Sequence, residues 1–369
     1  MKTAAVPISV GIPQSRGAIG GVRLDWAMVV ACAWFQLGAY LDAWAHTHRP
    51  DLETFFTPWH AVLYTGFAAT AALTVTVLVR NHASGRPWSR ALPAGYGLSL
   101  VGVLIFAGGG VGDMIWHVLF GIEADVEALL SPTHLLLGLG STLIFAGPLR
   151  AAWKRPDPPI AGGSALLPMV FSLGFLLSSF TFWTQYAHAI ARPWAAIGNR
   201  PTAPPFPVVA ADPLFQGGGI GSVFVSQALG VASILLQAAL LAGVVLLAVR
   251  RWRSKLPAGS LTLVFTLNAA LMGFMRDQPL LIPLLGLAGL AADGLLKGLE
   301  PSVERPGALR VFAFAVPATY YACYFAAVAA TKGLWWSVHL WTGSILLAGV
   351  VGWLLSYLVA PPPEPEPRP

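Results

Sequence analysis

The chain has 369 residues, 56% hydrophobic and 10% charged, with a mean hydropathy of +0.67. A soluble domain carries roughly 25% charged residues, so a water-soluble globular enzyme is excluded and the bilayer sets the folding rules. The net charge of +6 is distributed as a membrane-orientation signal rather than as a nucleic-acid surface.

Backbone that crosses lipid must satisfy its own hydrogen bonds, as a helix or a closed barrel. The apolar runs here are far longer than the ~10-residue strands of a barrel. Windows of about 20 apolar residues place ten spans at 24–46, 58–80, 93–119, 131–151, 164–190, 219–250, 258–275, 278–298, 309–330 and 334–359. The predicted fold is therefore all-α, a polytopic transmembrane helical bundle of about ten helices. Residues 1–23 precede the first span. Pro7, Pro13 and several glycines interrupt them, so they read as a cytoplasmic segment and not as a secretory signal. Residues 24–190 hold five spans, 191–218 a Pro/Gly-rich loop, 219–359 five more spans, and 360–369 a Pro-rich tail. Cys32 and Cys323 lie inside apolar runs and form no disulfide framework.

With ten spans and cytoplasmic N- and C-termini, five of the 22 basic residues (Arg49, Arg192, Arg200, Arg276 and Lys332) fall outside and the other seventeen inside, in accord with the positive-inside rule. The predicted setting is a cell membrane, of the bacterial inner-membrane type, crossed many times. In that orientation His46, His60, His117, His134, His188 and His339 lie near the outer ends of spans, and His48 lies in the first outer loop. The 191–218 loop is also outside, either as a cap over these residues or as a linker between the two halves. Trp44, Trp59, Trp116, Trp335 and Trp336 are expected in the interfacial aromatic belt. Asp293 is expected to pair with Lys297, and Gly108-Gly109-Gly110 to mark close helix packing rather than a phosphate loop.

One pattern is written twice. Asp42, His46, Thr57-Pro58 and His60 close the first hairpin; Asp113, His117, Ser131-Pro132 and His134 close the second. Asp and His four residues apart share a helix face. Thr57 and Ser131 suit the N-cap, with proline at the first helical position, which puts His60 and His134 in the first turn of the returning helix. Each hairpin can thus present one carboxylate and two imidazoles to a common point. Ionisable groups at a membrane edge are costly to keep without a use, and this set suits zinc, copper, nickel or non-haem iron. Candidates for additional ligands or for partners of the ligands are His48, Glu53, Glu127, Gln185, His188 and His339; the last histidines could equally serve helix packing.

At these residues the chain resembles the C subunit of the copper membrane monooxygenases, the family of particulate methane and ammonia monooxygenase. The likeness rests on Asp42, His46 and Phe56-Thr57-Pro58-Trp59-His60 leading to Tyr64-Thr65-Gly66, then on Asp113, His117, Ser131-Pro132 and His134, and it covers roughly residues 25–150. It implies copper at both ligand sets near the outer, periplasmic face, a monooxygenase-type oxidoreductase, and further membrane or periplasmic subunits as partners. The second turn is longer than the first, and five more spans follow, more than that subunit leads one to expect. Three function classes stand from the sequence: a copper-dependent oxidoreductase subunit, a non-enzymatic copper- or zinc-handling protein, and a proton-coupled transporter working through the Asp/His pairs.

Overall fold

The computed structural model describes residues 18–49, 56–121, 126–156, 163–201 and 221–362. They form an all-α bundle: α1 (Gly21–His48), α2 (Pro58–Ala83), α3 (Trp88–Ala91), α4 (Gly97–Phe120), α5 (Glu127–Leu130), α6 (Pro132–Phe145), α7 (Gly147–Lys154), α8 (Leu167–Trp183), α9 (Gly221–Trp252), α10 (Ser260–Met275), α11 (Leu281–Leu299), α12 (Pro306–Lys332) and α13 (Val338–Val359). Among the described residues nine segments are long and apolar enough to cross a bilayer, with α6 and α7 counted as one. This is a multi-pass helical membrane protein. The expected seventh span, 258–275, is the exception: α10 has 16 residues, a rise of about 24 Å against a hydrocarbon core of about 30 Å.

The fourth span is interrupted just before Pro148. Proline has no N–H to continue the ladder, so α6 stops at Phe145 and α7 starts at Gly147. Ser172 of α8 fills the gap. Its Oγ accepts from the Leu149 N–H at 3.2 Å and donates to the Phe145 carbonyl at 2.5 Å. Arg150 donates through Nη2 to the Leu143 carbonyl at 2.8 Å. The broken turn is thereby satisfied without water, as lipid depth requires.

The two hairpins that share the motif, α1–α2 and α4–α6, are alike in packing as well as in motif. Phe35 and Phe106 both precede the motif aspartate by seven residues, Gly38 and Gly109 by four; Leu63 and Leu137 follow the returning histidine by three, Gly66 and Gly140 by six. A methyl at Gly38 would sit 2.7 Å from the Leu63 Cα, and one at Gly109 3.3 Å from the Leu137 amide. A methyl at Gly66 would sit 2.6 Å from the Phe35 Cα, and one at Gly140 2.7 Å from the Phe106 amide. Each hairpin therefore closes backbone to backbone at the same two levels, as small residues permit in membranes. The two copies run in the same direction and meet through equivalent side chains, Phe35 edge-on to Phe106 with centroids 4.8 Å apart. Of the glycine triplet, Gly109 abuts α6 and Gly110 abuts Tyr64 of α2, while Gly108 has no neighbour within 4 Å.

The C-terminal helices pack on this unit along α8, which contacts α1 on one side and α9 and α10 on the other. One continuous apolar core joins both halves. Two expectations change here. Asp293 does not pair with Lys297; its carboxylate accepts from the Leu261 and Thr262 amides at 3.1 and 2.9 Å and from the Thr262 hydroxyl at 2.7 Å. It caps α10, whose own N-cap, Gly259, has no side chain to do so. Trp336 is buried rather than interfacial, and Trp335 donates through Nε1 to the Trp194 carbonyl at 2.7 Å. The start of the 191–218 loop is pinned there too, by Ile197 N–H to the Gly333 carbonyl and Trp335 N–H to the Ala195 carbonyl. Residues 202–218 lie outside the described residues, so the cap and linker readings of that loop fall there.

Candidate metal centre

Capping places the returning histidines as expected. Thr57 accepts from the His60 amide at 3.1 Å and Ser131 from the His134 amide at 3.4 Å, with Pro58 and Pro132 opening α2 and α6. His60 and His134 therefore lie level with the last turns of α1 and α4.

Asp42, His46 and His60 form one group and Asp113, His117 and His134 a second; within each, the three potential ligand atoms lie within 4.8 Å of one another. In the first, Asp42 Oδ2 is 3.7 Å from His46 Nε2 and 3.5 Å from His60 Nε2. In the second, Asp113 Oδ2 is 3.5 Å from His117 Nε2, and Oδ1 is 3.4 Å from His134 Nε2. The imidazole centroids are 5.7 Å apart in both. These separations exceed the roughly 2.7–2.9 Å of a charge-assisted hydrogen bond. Two donors each ~2.0–2.1 Å from one ion at tetrahedral to trigonal angles lie about 3.3–3.6 Å apart. The spacing fits a shared cation better than direct Asp–His pairing.

The outer nitrogens support that fit. The His117 Nδ1 faces the Gly121 carbonyl at 3.2 Å. A carbonyl only accepts, so the proton is on Nδ1 and the Nε2 lone pair points at the group. His60 and His134 set Nδ1 against their capping hydroxyls, Thr57 at 3.2 Å and Ser131 at 2.7 Å. The cap residue thus orients both the helix and the imidazole ring of the histidine three residues on. In addition Asp42 Oδ1 is buried without a hydrogen-bond partner among the described residues, a costly state for a carboxylate oxygen that a cation relieves.

Both groups line one cavity of about 770 Å³. Phe35, Leu63, Phe106, Leu137 and Phe145 line it together with polar Gln36, Ser141 and Ser179; Arg49, Arg192 and Arg276 line it as well. Tyr64 leans from α2 toward α4, so that a methyl at Gly110 would lie 3.0 Å from its hydroxyl. The matching position in the second hairpin is Gly138, and there the space is taken by Trp183 of α8. Tyr64, Trp183 and Thr133 were not singled out as site residues from the sequence. Tyr64 was discoverable, one helical turn beyond His60; Trp183 belongs to another helix and leaves no local signal.

The further candidates scatter. His48 turns to Asp277 of the α10–α11 turn, Nε2 to Oδ2 2.5 Å. Gln185 lines the cavity, but its oxygen accepts from Arg276. Glu127 is exposed on α5. Glu53 lies outside the described residues. His339 is exposed in the first turn of α13; Ser337 caps that helix, but His339 follows its cap by two residues instead of three and so points about 100° away from the equivalent direction. His188 is buried and opens on a separate, water-sized cavity of about 10 Å³ with Thr181, Asn268 and Tyr320.

Burial, helped by the nearby Arg276 charge, pushes His188 down to about 3. Its Nδ1 accepts from the Ile190 amide at 3.1 Å, so the folded protein holds it neutral. Below its usual value of 6.5 the unfolded chain takes up a proton that the folded chain refuses. Its contribution to stability is thus full above pH 6.5 and is lost as pH falls toward 3. His188→Gln is expected to show a shallower fall of thermal midpoint across that window than wild type.

The fold and these groups define a class: a multi-pass helical membrane protein with two Asp-His-His clusters opening on one cavity. Comparison with protein families, characterised proteins and solved structures gives no match for this chain.

Proposed function

We propose that the protein binds two metal ions, copper at both clusters, at the outer face of a cell membrane, and serves as a subunit of a membrane monooxygenase-like oxidoreductase. The observation that carries the metal reading is the pair of Asp-His-His groups with non-bonded ligand spacings and inward-pointing Nε2 atoms. Copper is favoured over zinc or iron by the resemblance of both hairpins to the copper monooxygenase C subunit, and imidazole–carboxylate sets accept it. Bound copper would supply redox chemistry with oxygen; the chain's own residues would hold it, orient the imidazoles, and surround it with aromatic and aliphatic side chains that suit small apolar molecules, beside polar Gln36, Ser141 and Ser179. The outer-face placement is supported by the charge bias, since Arg49, Arg192 and Arg276 are among the few basic residues on the cavity side. Such a subunit would work with other membrane or periplasmic subunits that supply electrons.

A second reading, copper or zinc handling without catalysis, is favoured by one observation: His46 is the most exposed of the six ligands, at 37%, which suits exchange with the outside. The test of the metal reading is copper titration of the full chain in detergent, followed by mass spectrometry and electron paramagnetic resonance. The expected result is one ion for each of the two groups, with nitrogen hyperfine structure. Copper content at the level of a His60→Ala/His134→Ala variant would overturn it.

A further inference from the structure

The two centres share residue types but not support. Asp113 is 2% exposed and His117 9%, whereas Asp42 is 13% and His46 37% exposed; only the returning histidines run the other way, His134 at 19% and His60 at 12%. Thr133 donates to Asp113 Oδ1 at 2.9 Å. The position that matches Thr133 in the first hairpin is Trp59, whose indole packs edge-on to Trp44 with centroids 6.0 Å apart. It offers Asp42 no hydroxyl, and Asp42 Oδ1 is left without a partner among the described residues. On the imidazole side, His117 and His134 are both braced through Nδ1. In the first centre only His60 is so braced among the described residues.

We infer that the Asp113–His117–His134 centre retains its ion while the Asp42–His46–His60 centre exchanges its own, and that Thr133 is the positioning residue that sets the difference. The inference rests on the metal reading above and deepens it. Ligands whose outer atoms are already fixed lose little freedom on binding and release an ion only by breaking that support. A ligand set with an exposed imidazole and a carboxylate oxygen unpartnered among the described residues can re-form one bond at a time, which is what exchange with an incoming ligand needs. The two centres then divide the work, one resident and one open to supply.

The experiment loads the full chain in detergent with Cu²⁺, adds excess EDTA, and follows copper release together with the paramagnetic spectrum of what remains. Release is expected in two equal phases whose rates differ at least tenfold, with the retained ion matching the spectrum of a His60→Ala variant, in which the second centre alone is intact. Thr133→Val should speed the slow phase by about ten- to a hundredfold, and Thr133→Ser should restore it. Trp59→Thr should slow the fast phase, a gain that damage to folding does not produce. Two bound ions leaving in one phase, or a retained ion matching the His134→Ala spectrum, overturns the inference while leaving the metal reading standing. Failure of the wild-type chain to load copper overturns both.

Discussion

Alanine at His60 or at His134 is expected to remove one ion each, and the double variant to bind none. The losses should exceed the 10–100-fold that follows from removing a ligand's supporting partner, because the bond to the ion itself is lost. Both residues sit at the third helical position behind a hydroxyl cap and a proline, and alanine there keeps the cap and the helix. The folded bundle should therefore survive, so lost copper reports on ligation rather than on misfolding. Stability supplies a second readout. An ion present at a hundred times its Kd adds about 2.7 kcal/mol, so each single variant should lose the upward shift in thermal midpoint that copper gives at that centre. Equal copper content in wild type and double variant would exclude these six residues as the binding set.

The second large effect concerns helix contact. Gly66→Ala and Gly140→Ala are expected to cost about 1–3 kcal/mol each and to weaken copper binding in their own hairpin. The added methyl would meet backbone atoms, the Phe35 Cα at 2.6 Å and the Phe106 amide at 2.7 Å, and backbone cannot rotate out of the way as a side chain can. Forcing the helices apart here, about two turns below the ligands, tilts them and so changes the distance between the motif aspartate on one and the histidine on the other. Gly108→Ala, whose methyl has no neighbour within 4 Å, is the control and should be near neutral. Thermal midpoint and copper stoichiometry of the three variants decide the matter. A Gly66→Ala protein with unchanged stability and full copper would show that the close contact is not what holds the site.

The parts of this structure legible in the sequence are those fixed by local rules. Apolar length gave the spans, and the Thr57-Pro58 and Ser131-Pro132 pairs gave the starts of α2 and α6 and hence the level of His60 and His134. The Asp-x3-His spacing put two ligands on one face because a helix turns in under four residues. What escaped depends on partners distant in the chain. Asp293 looks like half of an intrahelical pair with Lys297, but the bare amide ends of α10, 31 and 32 residues away, outcompete a flexible ammonium. Trp336 reads as an interfacial residue until Gly230 of α9 opens a slot for its ring. His188 and His339 have suitable chemistry and the wrong direction, and direction is a property of caps and loops rather than of residue type. That both ligand groups face one cavity follows from the meeting of the two hairpins, which no single stretch of sequence encodes.

The Phe35–Phe106 contact has the geometry of a symmetric pair. Equivalent residues of two copies touch one another at the dyad of a symmetric dimer, and here they do so within one chain. In a symmetric dimer the two ligand sets that flank such a contact are identical. Two hairpins in one polypeptide are under no such obligation. Trp59 against Thr133, and Tyr64 against Gly138, are differences that a homodimer could not hold and a single chain can.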